Sequence, residues 1–132
     1  IDNLKFIPLI CYEIIYSGKI SQNKKYYDFI LNISEDGWFG KSIGPAQHLS
    51  HSIFRSIEEG KNVIRSTNNG VSAFVNPKGQ IIKHISEKGY FDVNKIKRAN
   101  KTYFAKYGNK IFFYFVLIYI TFTVILKIRE NK

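Results

Sequence analysis

The run from Ile111 to Leu126 constrains this chain most: Ile-Phe-Phe-Tyr-Phe-Val-Leu-Ile-Tyr-Ile-Thr-Phe-Thr-Val-Ile-Leu holds no charge, glycine or proline. As a helix it rises about 1.5 Å per residue and spans roughly 24 Å, a little less than the ~30 Å hydrocarbon core of a bilayer. Ile128 extends the run, and Lys110, Lys127 and Arg129 flank it with stems long enough to snorkel. A buried core helix is the alternative reading. Such a helix normally keeps a polar face, and this run has almost none. We therefore expect a membrane-spanning helix, and its C-terminal position argues against a cleavable signal peptide.

The 132 residues carry a net charge of +10, an excess that by itself suits a binder of phosphate backbones. Its placement points elsewhere, because Lys95, Lys97, Arg98, Lys101 and Lys106 precede the apolar run directly. Cations beside a membrane helix attract anionic head groups at about 1 kcal/mol each. We expect a membrane surface as partner and no nucleic acid, with a merely solvated lysine-rich face as the bland alternative. Basic residues lie on both sides of the span, so charge alone leaves its orientation open.

The remainder alternates apolar runs with turn signals. Phe6 to Ile10 reads as a short buried strand, Tyr12 to Tyr16 as a turn or helix start, Lys19 to Lys25 as a loop and Tyr27 to Ile33 as a second strand. A loop follows from Ser34 to Gly40. From Pro45 to Asn62 the residues Ala46, Leu49, Ile53 and Ile57 recur at helical spacing, widened by Phe54. This predicts a helix burying that stripe, started by Pro45 and ended by Gly60. Val63 to Ser66, Val71 to Val75 and Gln80 to Ile85 read as strands joined by turns at Asn69-Gly70 and Asn76-Pro77-Lys78-Gly79. Strands feeding loops, with a helix between strands, make an α/β or α+β fold.

Cys11 is the only cysteine, so it has no disulfide partner within this sequence, and it falls where the first strand ends. There it is either an inert buried thiol or a nucleophile at the carboxyl edge of a sheet, where α/β proteins build sites. Helix amides would favour its thiolate, and Glu13 pointing the same way would oppose it. The sequence leaves that balance open.

Four segments together resemble a known family: Ile10-Cys11-Tyr12-Glu13; Asn32-Ile33-Ser34-Glu35-Asp36-Gly37-Trp38-Phe39-Gly40; Gly44-Pro45-Ala46-Gln47-His48-Leu49; and Arg65-Ser66-Thr67-Asn68-Asn69-Gly70-Val71 with Pro77-Lys78-Gly79. In order and spacing they are similar to the C-terminal part of the apolipoprotein N-acyltransferases, membrane members of the nitrilase (carbon-nitrogen hydrolase) superfamily. The resemblance implies the C-terminal portion of an α-β-β-α sandwich over residues 1–93, a basic connector over 94–109, a membrane helix over 110–128 and a tail over 129–132. It implies transfer of an acyl chain from a phospholipid donor, through a cysteine thioester, to the N-terminal amine of an apolipoprotein acceptor, without cofactor or metal. Cys11 then matches the nucleophile, and Tyr12 and Glu13 match residues needed for activity, with the Tyr12 N–H as an oxyanion donor. Trp38 and Phe39 would wall an acyl site or touch the membrane, with ordinary loop packing as the alternative.

In that family a glutamate base and a lysine precede the cysteine, and neither Asp2 nor Lys5 lies in a matching motif. The expectation is a C-terminal fragment, inactive alone, from an inner-membrane enzyme whose nitrilase-like domain is periplasmic. A soluble nitrilase-type amidase and a non-catalytic membrane-anchored module are the competing classes. His48 and His51 stand three apart on the predicted helix, but no third ligand is evident, so surface or hydrogen-bonded histidines are expected rather than a metal site. Arg65 is a candidate partner for a buried carboxylate. Gly37, Gly40 and Gly44 lack the ending of a phosphate-binding loop.

Overall fold

The computed structural model describes residues 3–20, 26–93, 95–96 and 99–130. Its five strands form one mixed sheet in chain order: β1 (Phe6–Ile10), β2 (Phe29–Glu35), β3 (Asn62–Asn68), β4 (Ser72–Val75) and β5 (Ile81–Ile85). The first three strands are parallel, with Ile7 beside Ile30 and Ile30 beside Val63. Parallel neighbours need a crossover, and α1 (Gly44–Glu59) supplies it between β2 and β3. The last three strands are antiparallel neighbours, so turns suffice. The α/β reading therefore holds, with the second strand displaced two residues toward the C-terminus relative to its expected bounds.

Side chains alternate across the sheet. Ile7 and Leu9, Ile30, Val63, and Ala73 and Val75 fill the core on one face, joined by Ile14, Ile20 and Tyr27 and packed by Leu49 and Ile53 of α1. Each fully buried aliphatic chain of this size contributes about 1.5–3 kcal/mol. The opposite face carries Phe6, Ile10 and Ile33, all about half exposed, with Phe6 stacked on Phe29 at 5.5 Å. The segment after β5 reaches this second face, where Phe91, Val93 and Ile96 line a cavity with Leu4, Phe29 and Ile64.

The expected orientation of α1 is corrected. Its buried residues are His48, Ser52, Arg55, Ser56 and Glu59, whereas Phe54 and Ile57 are exposed and Leu49 and Ile53 are only partly covered. The physical reason lies in the sheet beneath it. At the carboxyl end of the strands the inner face presents Asn32, Ser34 and Arg65, polar groups that an apolar stripe could not satisfy. Small Ser52 and Ser56 let the helix sit close. Gly60 at φ 63 ends it, its N–H returning to the Ile57 and Ser56 carbonyls.

The basic connector is not uniformly irregular, because Tyr103–Tyr107 forms a short helix, α2, capped by the Thr102 hydroxyl on the Ala105 amide. Thr102 also donates to the Glu58 carbonyl, fixing α2 to the C-terminal end of α1. The predicted loop residues 21–25, and Asn94, Lys97 and Arg98 of the connector, lie outside the described residues. α3 (Lys110–Glu130) then runs for 21 residues, long and apolar enough to cross a membrane, with none of its apolar window buried.

The inward face of α1 is directly testable. Ser52→Leu should lose about 1–3 kcal/mol of stability by overpacking a closed site, while Phe54→Ser should stay within about 0.5 kcal/mol. Urea denaturation of the detergent-solubilised chain measures both; the reverse order would return the apolar stripe to the interior.

Candidate active site

β1 ends at Ile10, and the chain turns at once into a 3-10 segment from Cys11 to Ile15. Cys11 sits at the corner with φ 47, a left-handed backbone that a non-glycine residue holds only under tertiary constraint. The thiol is partly exposed. Its carbonyl turns inward, where the Asn32 amide donates to it at 3.3 Å and His48 Nε2 lies 3.2 Å away. Asn32 Nδ2 also donates to the Leu9 carbonyl at 3.0 Å, so one side chain of β2 ties both ends of the corner.

Beneath the corner stands a buried polar cluster. Asp36, immediately after β2, is fully buried; Arg65 of β3 donates to both of its oxygens, at 2.8 and 2.7 Å, and to the side-chain Oδ1 of Asn32 as well. His48 Nδ1 meets Asp36 Oδ1 at 2.9 Å, and the Ser34 hydroxyl donates to the same oxygen at 3.0 Å. The Ser34 hydroxyl also lies 3.7 Å from Cys11 Sγ, linking the cluster to the thiol. The Asn69-Gly70 turn closes over Asp36. Asn69 alone takes the left-handed angle, φ 55, and Gly70 is needed for space, since a Cβ there would stand 2.4 Å from Asp36 Oδ2.

Of the sequence-predicted site residues, the structure brings Cys11, Tyr12 and Phe39 together and sets two others apart. The Tyr12 ring lies 6.1 Å from Phe39 and 5.3 Å from His48, and Phe39 lies 5.6 Å from His48, a small aromatic wall beside the corner. Trp38 is 88% exposed and does not share that wall. Glu13 folds back so that its carboxylate accepts the Ile10 N–H at 2.7 Å, which bridges the corner from the outside. His48 is the hydrogen-bonded kind of histidine expected, buried and paired with Asp36; no group of three or more metal-ligating side chains occurs among the described residues. Arg65 does pair with a buried carboxylate. The sequence signal for the cluster is the alternation of Asn32, Ser34 and Asp36, polar at every second position through the end of β2 and the residue after it.

The cavities of about 440 and 500 Å³ are lined by other residues, the first by Asn62, Phe74, Pro77, Lys78, Ile82 and Lys95, and neither includes Cys11. Glu35 braces the Asn68-Asn69 turn: hydrogen bonds from Asn69, the Gly37 amide and Asn68 hold its carboxyl below the usual range.

Burial alone would raise the Asp36 carboxyl, but hydrogen bonds from Arg65 and His48, the Arg65 charge and the Ser34 hydroxyl outweigh it and hold the group below the ordinary aspartate range. A depressed folded-state value means that ionised Asp36 contributes its full stability above the unfolded value, about pH 3.9, and loses it as pH falls through the lower folded value. Asp36→Asn should cost about 3 kcal/mol at pH 7, the order found when one partner of a buried pair is removed. It should also flatten the stability profile below pH 4. Thermal denaturation between pH 2 and 7 checks both.

With this geometry in hand, comparison with known proteins is informative. Residues 2–90 match the carbon-nitrogen hydrolase family. Among curated proteins, the apolipoprotein N-acyltransferase of Rickettsia bellii is 38% identical over 136 residues, covering 97% of this chain and 27% of that protein. That of Wigglesworthia glossinidia brevipalpis is 35% identical, covering 98% of this chain and 26% of that protein. The Haemophilus influenzae protein of the same name is 49% identical over 78 residues, covering 58% of this chain and 15% of that protein. The chain thus spans about a quarter of the length of the first two relatives. The family match takes in every strand, α1, the Cys11 corner and the buried cluster below it, and on that extent the chain belongs to the carbon-nitrogen hydrolase family.

Proposed function

We propose that this chain carries the nucleophile of an N-acyltransferase that moves an acyl chain from a phospholipid to the N-terminal amine of a diacylglyceryl-cysteine apolipoprotein. The observation that carries the reading is Cys11 at φ 47 on a strand-to-turn corner, its carbonyl drawn inward and its thiol left accessible. The similarity to curated apolipoprotein N-acyltransferases supports the choice of reaction over amide hydrolysis. The apolar α3 also favours it, because a soluble amidase has no use for such a helix.

The chemistry divides into two acyl transfers. The Cys11 thiolate attacks the phospholipid ester carbonyl, and the tetrahedral oxyanion accepts the Tyr12 N–H. Collapse breaks the ester C–O bond, forms the thioester and releases the lysophospholipid, whose oxygen takes a proton. The lipoprotein amine then attacks the thioester; an amide forms, the C–S bond breaks and the amine nitrogen gives up its proton. A thiolate suits both halves, as strong nucleophile and good leaving group. The family resemblance calls for a glutamate base and a lysine beside the thiol, and neither Asp2 nor Lys5 lies in a matching motif.

In this reading α3 spans the inner membrane, with the nitrilase-like domain on the periplasmic side. Phe39 and the Tyr12 ring form the wall met by the acyl chain, and exposed Trp38 reaches toward the lipid surface. Residues 1–93 form the C-terminal part of the catalytic domain, 94–109 the connector, 110–128 the span and 129–132 the tail.

Two experiments on the protein at its full genomic length, in phospholipid vesicles, test this reading. Intact mass spectrometry should find an acyl adduct on Cys11, and Cys11→Ala should abolish it; an adduct that survives that change would falsify the assignment. Glu13→Gln keeps an acceptor for the Ile10 N–H but loses the charge. Its acyl-transfer rate should fall about 100-fold, the lower end for a positioned ionisable group. A rate within threefold of the unmodified protein would reduce Glu13 to a backbone brace.

A further inference from the structure

The hydrogen-bond inventory around His48 assigns it a protonation state. Its Nδ1 lies 2.9 Å from Asp36 Oδ1, closer than the 3.2 Å to Arg65 Nη2 or the 3.4 Å to the Ser34 hydroxyl. Asp36 accepts from Arg65 on both oxygens and is held below the ordinary aspartate range, so it is the ionised carboxylate, an acceptor only. Nδ1 must therefore carry a proton. Nε2 lies 3.2 Å from the Cys11 carbonyl, which is also an acceptor only, so Nε2 carries one as well. With both nitrogens protonated, the ring is an imidazolium, paired with Asp36 and buried at 2% exposure. The groups facing it are Ser34 and Asp36 from β2 and the residue after it, Arg65 from β3, the Cys11 carbonyl and Tyr12 ring from the 3-10 corner, and Phe39 from the following loop. His51 on its own helix interacts with it electrostatically.

The peptide group turns this contact into a directional device. In a trans peptide the C=O and N–H point in opposite directions, so a carbonyl held inward sends the next N–H outward. Asn32 and His48 together occupy the Cys11 carbonyl, and the outward group is the Tyr12 N–H. We propose that His48, doubly protonated between Asp36 and the Cys11 carbonyl, is a positioning residue that fixes the Cys11–Tyr12 peptide so that the Tyr12 N–H faces the reacting carbonyl. The catalytic consequence rests on Cys11 being the nucleophile; the protonation state does not. Arg65 completes the device by keeping Asp36 ionised, and the charge on His48 makes its bond to the carbonyl a strong one.

The test has two arms. Nitrogen NMR of the ring-labelled chain in phospholipid nanodiscs at pH 7, with His48 assigned by its loss in His48→Gln, should find both nitrogens protonated; a neutral tautomer overturns the proposal. In the full-length protein, His48→Phe should lower kcat about 100-fold, the order for one oxyanion donor, with KM unchanged. His48→Gln, which can still reach the carbonyl with an N–H, should recover to within about tenfold of the unmodified rate. Equal losses in the two variants, or losses in KM alone, overturn the proposal. If the unmodified protein forms no acyl adduct, the acyltransferase reading fails on its own and the NMR arm still decides the state of His48.

Discussion

One carboxylate organises this molecule. Asp36 sits at the end of β2, yet it receives Arg65 from β3, His48 from α1 and Ser34 from its own strand. Burying a carboxylate or a guanidinium alone is prohibitive. Together the three groups compensate one another, and the desolvation that would raise Asp36 is more than offset by its donors. The result joins the central strands to the N-terminal half of the helix directly beneath the Cys11 corner.

That constraint explains the unusual face of α1. A helix over a sheet of valines and isoleucines would bury its apolar stripe, but α1 turns His48 to Ser34, Asp36 and Arg65 and buries Ser52, Ser56 and Glu59 along the same side, Glu59 accepting from the Tyr27 hydroxyl. The apolar content is spent at the other end, where Ile7, Ile30, Val63 and Val75 close the core. Rigidity and reactivity are thus separated along the strands. The middle of the sheet is apolar, and the carboxyl edge is a polar frame that holds Cys11 at a left-handed backbone angle, φ 47.

The same separation bears on the anchor. α2 is fixed to the C-terminal end of α1 by Thr102, whereas His48, near the N-terminal end of that helix, meets the Cys11 carbonyl. His48 and Glu58 stand ten residues apart on α1, roughly 15 Å at the usual rise. α2, and the apolar α3 after it, therefore follow from the end of α1 opposite the one that meets the Cys11 corner.

Much of this was legible in the residues. The apolar run of α3, the strand ending at Cys11, the turns at Asn69-Gly70 and Asn76-Gly79 and the helix after Pro45 all follow from local composition and periodicity, which act over a few residues. The pairing of Arg65 with a carboxylate was anticipated in kind, though not its partner. What the sequence alone did not determine was which side of α1 faces inward, that Trp38 and Phe39 part company, and that Asp36, His48 and Arg65 converge below Cys11. Those contacts join residues 12, 29 and 37 positions apart. They exist only because the parallel register sets Asn32 beside Arg65 and lays the crossover helix above them, and register is a property of the assembled sheet that no local pattern encodes.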